Sequence, residues 1–439
     1  ITATTATGNG TITATGGANA TTRGVVYGTT TSYGSTTTES GSFATVAFTA
    51  SITSLTCNTL YHYASYAINT GGTSYGSDQT FTTGSCVVIP TVTTSAASSV
   101  AATTMTLNAG ISSNGGGSIT QSGFDYSTSS DLSTGVTTTT LGAQAGSTFS
   151  GGVTGLTSGT LYYFRAYAVN SAGTGYGAIV STTTAFDADV LDWIARVQGQ
   201  GSDVTVAGTK VAVNNFVAGL KADGVWSKIV RMNIYAGDGL NALKAPLKNG
   251  GPSATDVLNN FVSGDYNQST GLTGTLSGSK YLNPGISYDS PLMGDSDIHI
   301  SLYVRTAPDS GITMQGYGPP AAGLYVSTSG TTAFWTNSNV SGISFADTNG
   351  IGFYIGSRSS STSSVLYKNG VSQASTTSAG GSRPGFPMYL YCQYYTGFGG
   401  PNATTGRTME MYSFGTGLTA TDAVNFTNRY ATLRTALGR

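Results

Sequence analysis

The placement of apolar residues divides the chain into two regimes. Up to about residue 185, short runs rich in Thr, Tyr and Val, such as Thr104-Met105-Thr106-Leu107, are cut by clusters of Gly, Ser and Asn. β-Branched and aromatic runs punctuated in this way predict short strands of an all-β sandwich. Between residues 187 and 235 the period changes. Val190, Ile194 and Val197 recur at helical spacing, and Val213, Phe216, Val217 and Leu220 form a second stripe. Strands return after Gly250, from Ile298 to Val304, from Gly352 to Ile355, and in a hairpin around Asn369-Gly370, a pair that suits a type I′ turn. A closing helix is predicted from about Thr421 to Leu437, carrying Phe426, Tyr430, Leu433 and Leu437 on one stripe. Thr419 or Thr421 can cap its start and Gly438 its end.

The first regime is one module used twice. The run from Leu55 to Asn69 returns from Leu156 to Asn170. Tyr75-Gly76 returns as Tyr176-Gly177, and Arg23-Gly24-Val25-Val26-Tyr27 as Ser122-Gly123-Phe124-Asp125-Tyr126. Leu55/Thr59/Tyr61 and Leu156/Thr160/Tyr162 resemble the tyrosine corner of a bacterial and phage variant of the fibronectin type III domain. Cys57 and Ser158 stand where that family usually has Pro. The resemblance covers roughly residues 1–185 and implies a spacer or display module. Repeat 2 opens with Ile89-Pro90-Thr91-Val92-Thr93, a first-strand signature. Repeat 1 begins at the counterpart of the second strand, so a strand ahead of Ile1 is expected.

Cys57 and Cys86 fall at the same end of such a sandwich, and repeat 2 lacks both. A disulfide is therefore expected, the other reading being two buried thiols; a bond implies an extracellular or virion setting. Cys392 reads as a buried strand residue.

Residues 187–439 look like a concanavalin A-like, laminin G-like jelly roll of the kind found at the ends of phage fibre and appendage proteins. The resemblance rests on Leu220 to Lys228, the Tyr367-Lys368-Asn369-Gly370 hairpin, and Gly417-Leu418-Thr419 leading into Leu433 to Arg439. The expected architecture is mainly β: fibronectin type III-like repeats over 1–85 and 86–186, then a helical lead-in and jelly-roll sandwich over 187–439.

Charge narrows the function. Only 8% of residues are charged. Residues 1–185 hold no Lys, two Arg (Arg23, Arg165) and four acids (Glu39, Asp78, Asp125, Asp131). No basic cluster exists to neutralise phosphates, which excludes nucleic-acid binding by a basic surface. No apolar run approaches the roughly 18–20 residues of a membrane span.

Candidate chemistry is sparse. The chain has two Glu, Glu39 and Glu410, in different domains, so a paired-carboxylate glycosidase site is not expected. His62 and His299 lie in strand patterns and read as face residues. Asp289, Asp295 and Asp297 form an oxygen-rich segment readable as a Ca²⁺ site or as a solvated loop. Alternation from Met388 to Tyr395 places Met388, Leu390 and Cys392 on one face and Tyr389, Tyr391, Gln393 and Tyr395 on the other. The second face suits inter-sheet packing, a subunit contact or a glycan site. Six Asn-x-Ser/Thr matches, beginning at Asn9, Asn19, Asn267, Asn339, Asn402 and Asn425, are weak signals in so Ser/Thr-rich a chain.

The expectation is a non-enzymatic virion structural protein, a phage head or tail fibre or decoration at the virion surface, whose β-sandwich stalk displays a lectin-like tip for attachment to host-surface or environmental glycans. Expected partners are other virion or filament proteins and further copies of itself in a homotrimer or multicopy assembly. The alternative is a bacterial cell-surface adhesin or extracellular filament subunit.

Overall fold

Gly24 and Gly123 explain much of how each repeat closes. A Cβ at either position would lie 1.9 Å from a backbone carbonyl, that of Thr37 or Thr139, so only glycine allows the adjacent chain so near. The side chains of the same threonines bond to the residue after each glycine. Thr37 Oγ1 accepts the Val25 N–H at 2.9 Å and Thr139 Oγ1 the Phe124 N–H at 3.2 Å. The computed structural model describes residues 1–206, 208–276, 280–294, 296–307, 314–316, 323–328, 330–335, 342–378, 385, 387–395, 400–402 and 405–439, without the side chains of 314–316, 327–328, 393–395 and 400–402.

Repeat 1 comprises β1 (Ala6–Thr11), β2 (Ala20–Gly28), β3 (Ser35–Thr36), β4 (Glu39–Phe43), β5 (Ala47–Ile52), β6 (Leu60–Asn69), β7 (Gly72–Tyr75) and β8 (Gln79–Thr82). Repeat 2 comprises β9 (Thr91–Ser98), β10 (Met105–Ser113), β11 (Ile119–Ser127), β12 (Thr137–Gln144), β13 (Thr148–Val153), β14 (Leu161–Asn170), β15 (Gly173–Tyr176) and β16 (Val180–Thr183). In repeat 1, β1 and β5 form one sheet and β3-β2-β6-β7, with β4 and β8, the other. In repeat 2 the smaller sheet has three strands, β13-β10-β9, facing β12-β11-β14-β15 with β16. β9 has no counterpart among the described strands of repeat 1.

Tyr61 makes the expected corner, its hydroxyl accepting the Thr56 N–H at 3.0 Å. Both arginines of this region pair with an acid over an aromatic ring. Arg23 pairs with Glu39 at 2.7 Å over the Phe43 ring, and Arg165 with Asp125 at 3.0 Å over Tyr176.

By its internal contacts the chain resolves into two units. One holds residues 1–98, 106–153 and 162–182; the other holds 99–105, 154–161 and 183–439. The second unit contains α1 (Ala188–Gly199), α2 (Thr209–Ala222) and α3 (Ala420–Ala436). Each helix lies where the apolar stripes predict it. Thr419 caps α3 in a reciprocal box with Asp422, and Gly438 follows its end at φ 70°.

Its larger antiparallel sheet runs, edge to edge, through Lys248–Asn249, Ile229–Asn233, Thr408–Gly415, Ile298–Val304, Gly352–Ser360, Ser363–Lys368 and Val371–Thr376. The last two strands meet at Asn369-Gly370, both at positive φ as a type I′ turn requires. One face packs on a second sheet of Met314–Gly316, Gly323–Thr328, Thr331–Trp335 and Ile343–Ala346, where a Cβ on Gly356 would meet the Phe334 ring at 2.2 Å. The other face receives the helices, with Phe353 against Phe426 at 5.0 Å and Tyr303 against Tyr430 at 5.5 Å. Covered on both faces, Ile298–Val304 is buried at nearly every position rather than alternately.

Candidate functional site

Among the described residues, the cleft beside α1 in the second unit best combines volume with polar side chains. It measures about 510 Å³ and is lined by Asp189, Asp192 and Arg196 of α1, Ile229 and Val230, the turn from Leu247 to Gly251, and Leu292. The α1 side is set by helical spacing. Val190, Trp193 and Val197 are buried, and Asp189, Asp192 and Arg196, each one residue earlier, form the flank beside that stripe. Arg196 is fixed by Asp192 at 2.9 Å and by the Pro246 and Leu247 carbonyls, and Trp193 Nε1 donates to the Ala245 carbonyl at 3.2 Å.

The facing turn is held from beneath by a buried guanidinium. Arg231 Nη1 donates to Asn249 Oδ1 at 2.9 Å, to the Gly250 carbonyl at 3.3 Å and to the Ser253 carbonyl at 2.8 Å. Its other nitrogens grip Asp256, at 3.0 and 2.7 Å, and both residues are buried. Asn233 at 2.9 Å and the Tyr412 hydroxyl at 2.6 Å satisfy the second Asp256 oxygen. Gly250 lies against the neighbouring strand so closely that a Cβ would be 2.3 Å from the Val230 carbonyl. The turn is thus a rigid wall.

Charge in the cleft balances. Asp189 is contacted by Lys221 at 2.5 Å and by Trp226 Nε1 at 3.1 Å. Lys248 stands 4.9 Å from the Trp226 ring and donates to that residue's carbonyl. Burial holds the Lys248 ammonium below its ordinary pKa, against the pull of Asp189. Two carboxylates face two cations beside Ile229, Val230, Leu247 and Leu292. Such a surface offers hydroxyl acceptors, hydroxyl donors and an apolar patch for a ring's C–H face, the requirements of a largely neutral polyhydroxylated ligand.

The residues singled out from the sequence are placed differently. Tyr391 does not share a face with Tyr389. At φ 70° it breaks the period-2 alternation and turns inward, fully buried, with its hydroxyl donating to the Leu272 carbonyl at 2.6 Å and its ring on Phe261. Tyr389 packs edge-on against Tyr281 at 5.3 Å. The side chains of Gln393 and Tyr395 lie outside the described residues. Met388, Leu390 and Cys392 are core, and burial raises the Cys392 thiol pKa.

Of the acidic segment, Asp289 and Asp297 are each engaged by a separate partner. Asp297 Oδ1 accepts the Gly417 N–H at 2.6 Å, Asp289 accepts the Ser287 hydroxyl at 2.5 Å, and Asp295 lies outside the described residues. Among the described residues, no group of three or more His, Cys, Asp or Glu is arranged to hold a metal. Cys57 and Cys86 are bonded, their Cα atoms 5.0 Å apart.

Glu410 is buried under Arg434, at 2.6 and 3.1 Å, and Arg305, at 2.9 Å, tying α3 to the sheet. His299 is buried too. Its Nδ1 faces the Thr416 carbonyl at 2.6 Å and its Nε2 the Ser413 hydroxyl at 3.0 Å, so Nδ1 carries the proton. Burial lowers its pKa to about 4.

The cleft had one partial signal in the sequence, Asp189, Asp192 and Arg196 at i, i+3 and i+7. Its other wall comes from more than fifty residues away, placed by Arg231.

No protein-family model matches the chain, and no curated protein matches it. Among solved structures it is similar to the sensor domain of the anti-sigma factor RsgI4 of Pseudobacteroides cellulosolvens, at 16% identity over 23% of this chain and 98% of that one, with a TM-score of 0.19. It is similar also to the FN1–FN3 domains of chicken CNTN1, at 15% identity over 37% of this chain and 56% of that one, with a TM-score of 0.20. Among the described residues no helix is long and apolar enough to cross a membrane.

Proposed function

We propose that this chain is a non-enzymatic attachment protein, a fibre or appendage component at a virion surface, whose C-terminal sandwich takes a surface glycan in the cleft beside α1. The observation that carries the reading is the rigid, charge-balanced cleft of about 510 Å³, with an apolar patch among its polar groups. Its carboxylates are each engaged by a cation, Asp189 by Lys221 and Asp192 by Arg196, which suits recognition better than proton transfer. The Cys57–Cys86 disulfide fits an oxidising, extracellular setting.

The test is capture of the whole chain on an array of bacterial surface polysaccharides, beside D192A and L292D. Asp192 and Leu292 reach solvent, so both variants should fold. The proposal expects one glycan class to be retained and both variants to bind about tenfold more weakly or worse. Failure of the wild type to retain any glycan, or equal binding by the variants, would overturn it.

A further inference from the structure

Among the described residues three arginines are fully buried: Arg231, Arg358 and Arg407. Two of them are fully met. Arg231 holds the Asp256 carboxylate, and every nitrogen of Arg407 donates to a backbone carbonyl, Nε and Nη2 to that of Thr306 at 3.3 and 3.0 Å and Nη1 to that of Val326 at 2.8 Å. Arg358 is not.

Residues 354, 356 and 358 share one face of the strand Gly352–Ser360, the face turned to the second sheet. Tyr354 there gives its hydroxyl to Asp347 at 2.7 Å, and Gly356 lies against the Phe334 ring. Arg358 follows at the end of this layer, beside the hairpin tip, and meets neutral acceptors alone. Its Nη1 donates to the Ser364 hydroxyl at 3.0 Å, and its Nη2 to the Ser361 carbonyl and, at 3.5 Å, to that of Ser378. Nε has no acceptor among the described residues. No carboxylate among them offsets the charge either: burial alone acts on the guanidinium and holds its pKa below the ordinary arginine value. A buried cation left in this condition is costly, and a bound anion removes the cost.

The covering over it is thin. Ser359, Ser360, Ser361 and Thr362 at the hairpin tip are exposed, as are Thr377 and Ser378. The guanidinium therefore lies directly beneath a roof of small hydroxyl residues, and a contact as long as 3.5 Å to the Ser378 carbonyl does little to hold that roof shut.

We infer that Arg358 anchors an oxyanion site: a sulfate, phosphate or carboxylate group binds its guanidinium, entering between the hairpin tip and Ser378. The planar fork of arginine matches the paired oxygens of such a group, and the anion supplies both the missing acceptor and the missing charge. None of these residues lines the α1 cleft, so the site stands or falls independently of the glycan reading.

The probes are sodium sulfate and sodium phosphate, each titrated into the whole chain against sodium chloride at equal ionic strength, with R358M beside the wild type and melting of the second unit as the readout. Methionine replaces a buried, unpaired cation with an apolar chain, a change that cores tolerate. The expected result is a saturable rise in the melting temperature of the wild type, and affinity at least tenfold weaker in R358M. The general stabilisation that sulfate gives any protein is read from R358M and subtracted. Glucuronate against glucose separates the two sources of the anion. A response to glucuronate alone assigns the site to the carboxylate of an acidic sugar, and a response to sulfate or phosphate assigns it to a free inorganic anion; either supports the inference. Should R358M fail to fold, R358K, which keeps the charge and loses the fork, should weaken binding about tenfold. No saturable response to any of the three anions, or an equal response in the variant, would overturn it.

Discussion

Asn214 of α2 reaches Ser158 with its side-chain amide, donating to the Ser158 carbonyl at 2.9 Å and to its hydroxyl at 2.8 Å, while its Oδ1 accepts the Asp187 N–H at 2.8 Å. Ser158 and Asp187 are the repeat-2 counterparts of Cys57 and Cys86. One asparagine therefore bridges without a covalent bond the two positions that a disulfide bridges in repeat 1. Thr83 and Thr184 brace the two sites alike, donating to the Thr56 and Thr157 carbonyls at 2.7 and 2.6 Å.

N214A leaves a buried hydroxyl, a carbonyl and an N–H without this partner, and should lower stability by about 1–3 kcal/mol. Urea denaturation followed by Trp fluorescence reads it, since α1 and Val225-Trp226 lie in the same unit. An unchanged midpoint would show that Asn214 does not brace this joint.

Opening the disulfide acts on repeat 1. The bridge spans 29 residues, for which the chain-entropy account gives about 3–4 kcal/mol. C57S/C86S should therefore melt repeat 1 earlier and leave the second unit's transition in place, as differential scanning calorimetry would resolve.

His299 gives the fold an acid-sensitive step. Its pKa is lower folded than unfolded, so between about 6.5 and about 4 the unfolded chain binds the extra proton. The stability conferred by the neutral ring is complete above that window and is lost as pH falls through it, by about 3 kcal/mol in all. Asp347 and Asp422, both held below the ordinary carboxylate range, lose their contributions only at still lower pH. H299Q should flatten the slope of stability against pH from 6.5 to 4; an unaltered slope would assign it elsewhere.

Asp256 secures the wall of the cleft through Arg231. D256N leaves a buried guanidinium without its counter-charge, a loss of about 3–5 kcal/mol. It should also weaken ligand retention, because Asn249 and Gly250 hang from the same guanidinium. Replacing Arg231 and Asp256 together by Met and Leu should recover much of the stability without recovering retention.

The sequence carried the repeats, the helices and the tyrosine corner plainly, because each rests on local periodicity or on a motif present twice. Thr419 with Asp422 and Asn369-Gly370 are local in the same sense. The alternation through Tyr389 and Tyr391 misled because Tyr391, at positive φ, turns into the core beside Leu390 and Cys392. The cleft stayed hidden for a different reason. Asp192 and Asn249 are ordinary polar residues until Arg231, buried against Asp256, holds the distant turn opposite α1. Burial of Glu410 beneath Arg305 and Arg434 was equally invisible, since those arginines are remote in sequence and nothing local marks the pairing.

The central claim, recognition without turnover, is met most directly by holding the whole chain on its captured polysaccharide and following bound protein and newly released reducing ends together over hours. The account predicts stable retention that responds weakly to salt, since the cleft is charge-balanced, loss of retention in D192A, and polysaccharide recovered at its original length. Release of shortened chains by the wild type, or retention unaffected by D192A, would contradict it.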